Sequence, residues 1–118
     1  MERRLHPRAQ VHFEARVTNL TTREQASSSR VCDMSKAGIS AILPLQFVPA
    51  DLVQLEVADS VLLGHVVYSN PEGSQFRIGI EVHKVKLGDS DVSNHLQETL
   101  RETMPSTPGL EHSEIYLG

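Results

Sequence analysis

Between residues 76 and 83 the chain alternates: Phe76, Ile78, Ile80 and Val82 are apolar, while Arg77, Glu81 and His83 between them are charged or polar. A period of two belongs to a strand with one face in a core and the other in water. A helix, which repeats its faces about every 3.6 residues, does not fit. Gly79 falls among the outward residues, where a glycine marks a bulge or a close approach of another group.

The same period recurs upstream. Val11, Phe13, Ala15 and Val17 alternate with His12, Glu14, Arg16 and Thr18, and Val53, Leu55 and Val57 share one face of a short segment at 52–57. Further strands are expected near 29–32, at 39–43 and at 61–68. Residues 21–29 read as polar and turn-like, and 33–38, 58–60 and 70–73 carry the Asp, Ser, Asn, Pro and Gly that turns favour. Pro44 and Pro49 bracket a loop.

The period changes at residue 89. Val92, Leu96, Leu100 and Met104 recur every four residues, which predicts a helix with one apolar stripe, capped by Asp89 or Ser90 and stopped by Pro105. These elements predict a mainly β chain: a small antiparallel six-stranded β-barrel with a C-terminal α-helix. The expected divisions are an N-terminal arm at 1–10, a barrel at 11–88, the helix at 89–104 and a flexible tail at 105–118.

Composition supports one modest core of Val, Ile and Leu: the chain has 118 residues, 39% of them apolar, and no Trp. No apolar run is long enough for a membrane helix and no secretory leader is visible, so a cytoplasmic protein without membrane insertion is expected. Cys32 is the one cysteine and is read as a small buried residue. The triplet Asn19-Leu20-Thr21 is a glycosylation sequon only in a secreted chain.

Charge is unevenly placed. Residues 1–36 carry a net +3 and the remainder −7, within a total of −4. A basic first third on an acidic body points to a local anion site. The acidic body and scarce aromatics argue against nucleic-acid binding. Six histidines are scattered without metal-ligand spacing, and no nucleophile elbow or phosphate-binding loop is present. No catalysis, metal or cofactor is expected, and His65 reads as a packed or surface residue.

Two short constellations remain: Arg4-x-x-x-Arg8, and Asp33-x-Ser35-x-x-Gly38 in the turn after the second strand. Each alone is common. In this order on an all-β pattern, they resemble the signature of the PilZ domain family, RxxxR followed by [D/N]xSxxG. Arg77-Ile78-Gly79 is similar to the R-x-G strand that closes the family's barrel, although Val82 stands close to where many members carry an aromatic residue.

The resemblance implies a receptor for the bacterial second messenger cyclic di-GMP, with Arg4, Arg8, Asp33, Ser35 and Gly38 at the ligand. An arginine fork suits phosphate oxygens or the guanine O6/N7 edge and also stacks on a purine. Asp33 can accept from guanine N1–H and N2–H, Ser35 can donate to a phosphate or brace the turn, and Gly38 supplies backbone freedom. Pro7 keeps the arm extended, so that it can fold over the ligand. In this family an Arg before RxxxR goes with two intercalated ligand molecules, so Arg3 implies a two-ligand site. With no output domain expected in the chain, the signal would pass to a protein partner in trans. The competing expectation is a PilZ-fold adaptor that binds protein and no nucleotide.

Overall fold

The computed structural model describes residues 8–35, 38–103 and 113–116. Strands β1 (Arg8–Asn19), β2 (Gln25–Ser35), β3 (Gly38–Leu43), β4 (Leu52–Val57), β5 (Ser60–Glu72) and β6 (Gln75–Leu87) precede helix α1 (Asp91–Thr103) and strand β7 (Ser113–Tyr116). All pairings are antiparallel, in the order β3-β2-β1-β4-β5-β6, and β3 pairs back onto β6 through Ile39↔Ile80 to Leu43↔Phe76. The result is a closed six-stranded barrel with one C-terminal helix, as the alternation predicts.

The inward sets pack the interior. Val17, Ala41, Leu43, Val53, Leu55, Leu62, Ile78 and Val85 are fully enclosed, and Phe47 enters from the loop between β3 and β4. At the β1–β2 turn, buried Asn19 donates from Nδ2 to Asp51 at 2.8 Å and accepts at Oδ1 from the Thr21 and Thr22 amides. The Leu52 amide donates to the Thr21 hydroxyl. Asn19 and Thr21 are thus the side chains that fasten this turn to the start of β4.

Several boundaries differ from expectation. The stretch 25–29, read as turn, belongs to β2: Ala15 pairs with Ser29 but Val17 with Ala26, so a bulge takes up one extra serine. The Ser29 hydroxyl satisfies the Ala26 carbonyl across it. Asn70, Pro71 and Glu72 continue β5, and the chain reverses at Gly73 instead. Pro71 is tolerated because β4 leaves β5 after His65, so the missing N–H faces no partner strand.

Two domain boundaries also move. Arg8, Ala9 and Gln10, assigned to the arm, already pair with Ser35, Met34 and Asp33. The expected flexible tail at 105–118 includes β7, whose Ser113–Tyr116 pairs with β6 from Leu87 back to Lys84. β3 occupies that edge of β6 only at 76–80, which leaves 84–87 open to a β-prone Ile-Tyr segment.

In α1, Ser90 is the N-cap: its hydroxyl accepts from the Ser93 amide at 3.1 Å. Leu96 and Leu100 face the barrel, but Val92 is 44% exposed and Ser93 is buried in its place. A step of four residues over-rotates a helix by about 40°, so a stripe spaced by fours drifts off one face. Met104 lies outside the described residues.

Asp59, in the β4–β5 turn, accepts from the Asp89 and Ser90 amides at 2.8 and 3.1 Å and from the Ser90 and Ser93 hydroxyls. Those bonds, Ser90 first and then Ser93, hold its carboxyl far below the ordinary aspartate range. The leading end of α1 is therefore tied to the barrel by Asp59, and by Ser60 of β5, whose hydroxyl lies 2.6 Å from that of Ser93. No helix among the described residues is long and apolar enough to cross a membrane.

Candidate functional site

The register brings the two sequence constellations together. Arg8 of β1 pairs with Ser35 of β2, and Ser35 pairs with Gly38, the first residue of β3. Two rows further, Gln10, Asp33, Ser40, Gly79 and Tyr68 lie side by side across five strands. Val31 pairs with Ala41 but Asp33 with Ser40, so β2 bulges at Cys32, immediately before Asp33. A bulge of this kind re-aims the neighbouring side chain.

Asp33, Ser35 and Gly38 line one shallow depression of about 110 Å³, together with Ser40, Val67 and Tyr68. Its floor is tight. A Cβ on Gly38 would stand 2.2 Å from the Ile80 carbonyl oxygen, and Gly38 has φ +149°. The motif glycine thus permits the approach of β3 to β6. The Tyr68 ring lies over Gly79, where a Cβ would come within 2.1 Å of it, and its hydroxyl is 2.9 Å from the Ser40 hydroxyl. The close approach expected at Gly79 is this ring; the register shift between Val66 and Tyr68 lies in the opposing strand.

Arg77 reaches the same site from β6. Its Nε and Nη2 donate to the two Glu72 carboxylate oxygens at 2.9 and 3.2 Å, and its Nη1 is 3.6 Å from Asp33. Hydrogen bonding to Glu72 raises the guanidinium's affinity for its proton, with smaller contributions from the charges of Glu72 and Asp33. The same pair holds the Glu72 carboxyl below its ordinary range.

Asp33, Ser35 and Gly38, all expected from sequence, are therefore adjacent, and the Arg8 backbone is in register with them. Arg3 and Arg4 lie outside the described residues, as do Lys36 and Ala37 between Ser35 and Gly38 of the motif. Sequence reasoning missed Ser40, Tyr68 and Arg77 as site residues. Arg77 was legible as part of R-x-G, yet nothing in the sequence places it beside Asp33. Ser40 and Tyr68 carry no local motif and meet only through pairing.

A larger cleft of about 750 Å³ opens between β1 and the start of α1, lined by His12, Arg16, Glu56 and His95 among others, and contains none of the motif residues. His65, half-buried on β5, meets His83 with Nδ1 and Nε2 2.6 Å apart. Among the described residues no three or more His, Cys, Asp or Glu side chains converge as a metal site.

The chain is a closed six-stranded barrel whose first strand, led by Arg8, pairs with the strand that carries Asp33 and Ser35 of the D-x-S-x-x-G motif. The family model described as PilZ domain matches residues 2–101, and the chain belongs to that family. It is a family of cyclic di-GMP-binding, non-catalytic domains. A comparison with curated proteins returns no match.

Proposed function

We propose that the chain is a cyclic di-GMP receptor with no catalytic activity of its own, which signals to a protein partner in trans from the cytoplasm. The observation that carries this reading is the convergence of Asp33, Ser35 and Gly38 on one depression, with Arg8 in register beside Ser35. At about 110 Å³ the depression is smaller than the ~300–1,000 Å³ of an enclosing small-molecule pocket. It suits one base edge, with the rest of the ligand lying on the barrel's outer face.

In this reading Asp33 accepts from the guanine N1–H and N2–H, and Ser35 donates to a phosphate. Arg4 and Arg8 supply forks to phosphate or guanine and offset the ligand's two negative charges. The N-terminal arm closes over a bound ligand, and Arg3 adds the contacts that a second, intercalated ligand needs. The altered surface is what a partner reads.

The test is calorimetric titration of cyclic di-GMP into wild type and into Arg4→Ala/Arg8→Ala. Binding at micromolar concentration or tighter, lost in the double variant, is the expected result, and a stoichiometry of two per chain is expected from Arg3. Absence of heat and of thermal shift with folded wild type would overturn the receptor reading in favour of a protein-only adaptor.

A further inference from the structure

Arg77 connects two carboxylates that the sequence keeps far apart. Its fork is committed to Glu72 on the neighbouring arm of the β5–β6 hairpin, which leaves Nη1 as the nitrogen facing Asp33 across the closed seam of the barrel. The Asp33 side chain is only 15% exposed and that of Arg77 31% exposed, so solvent screens the pair less than it would a surface ion pair. A carboxylate that is to read a guanine edge must be ionised and held in one orientation, since it accepts two parallel N–H groups in a plane. A cation anchored from behind by its own carboxylate meets both needs.

We propose that Arg77 is a positioning residue for Asp33, and that the Glu72–Arg77–Asp33 chain sets how strongly the site prefers guanine to a purine without the 2-amino group. This rests on the receptor reading above. Arg77 acts here on the base-reading carboxylate. Its removal also leaves Glu72 and Asp33 as two negative charges beside a dianionic ligand, which weakens binding of any such ligand regardless of its bases. Base preference and overall affinity therefore separate the positioning role from a general charge effect.

The experiment titrates cyclic di-GMP, and its analogue with both guanines replaced by hypoxanthine, into full-length wild type, Arg77→Gln and Glu72→Gln, each first shown to be folded by circular dichroism. Wild type is expected to prefer the guanine ligand. In Arg77→Gln that preference is expected to fall by about tenfold, the size of one charge-assisted hydrogen bond, beyond any loss common to both ligands. In Glu72→Gln the preference falls while both affinities rise, because a negative charge has gone and the guanidinium has lost its anchor.

The two variants also guard against a folding artefact, since loss of a structural residue alone does not raise affinity. An unchanged ratio of the two affinities in both folded variants would overturn the inference and leave the receptor reading intact. Wild type that binds neither ligand would overturn the receptor reading itself, and this inference with it.

Discussion

Replacing Gly38 by alanine tests whether the motif glycine serves the barrel before it serves any ligand. Two costs combine. The backbone at φ +149° is one that side-chain-bearing residues rarely adopt, worth about 1–3 kcal/mol. The added Cβ would stand 2.2 Å from the Ile80 carbonyl oxygen, a backbone atom that cannot swing aside, and overpacking of this kind costs about 1–3 kcal/mol more. The expected loss is thus about 2–6 kcal/mol, a large share of the ~5–15 kcal/mol that holds a small domain together. Urea unfolding followed by circular dichroism reads this as a midpoint lower by roughly 1–3 M at an unchanged slope of about 2 kcal/mol/M. Gly73→Ala is the matched control: it has φ +64° but no atom within 4 Å of the new methyl, so only the conformational cost of about 1–2 kcal/mol applies. If Gly38→Ala loses no more stability than Gly73→Ala, the contact between β3 and β6 is not what requires glycine, and the reasoning fails.

Three further outcomes are expected. Gly79→Ala drives a methyl into the Tyr68 ring and costs about 1–3 kcal/mol; in a double-mutant cycle Tyr68→Ala relieves part of that cost, and strict additivity would refute the contact. Leu96→Ala is expected to lose about 2–4 kcal/mol in urea unfolding while Val92→Ala stays within about 0.5, since Leu96 is buried and Val92 is not; equal losses would restore the stripe spaced by fours. Asp59 has a carboxyl depressed in the folded state, so its stabilising contribution is present above the unfolded aspartate value of about 4 and is lost as pH falls below it. Thermal melts of Asp59→Asn are accordingly expected to show a flatter decline of stability below about pH 4 than wild type; parallel declines would remove Asp59 from the account.

The barrel was legible because its inward residues alternate almost without interruption: Val11 to Val17, Val53 to Val57 and Ile78 to Val82 are buried as the period of two requires. What escaped was structure held by irregularity. The serines at 27–29 look like a turn because a bulge takes up one residue that a flat strand would have to pair. Pro71 signals a break that an unpaired strand edge makes unnecessary. At the site, Asp33, Ser35 and Gly38 were readable from one local motif. Arg77 and Tyr68 were not, because their place beside Asp33 and Ser40 depends on how β3 closes onto β6. Local spacing carries no record of that closure.

The tie at Asp59 has a mechanical consequence. Four hydrogen bonds reach its carboxylate from residues 89, 90 and 93, at the leading end of α1. Further along the helix, Leu96 and Leu100 are buried against the barrel. Those directional bonds pin the helix at its base. With 13 residues it is about 20 Å long, so a tilt of about 10° around the pin displaces the far end by roughly 3 Å. Small adjustments beneath the helix are thereby magnified at its tip, with the pivot itself left in place.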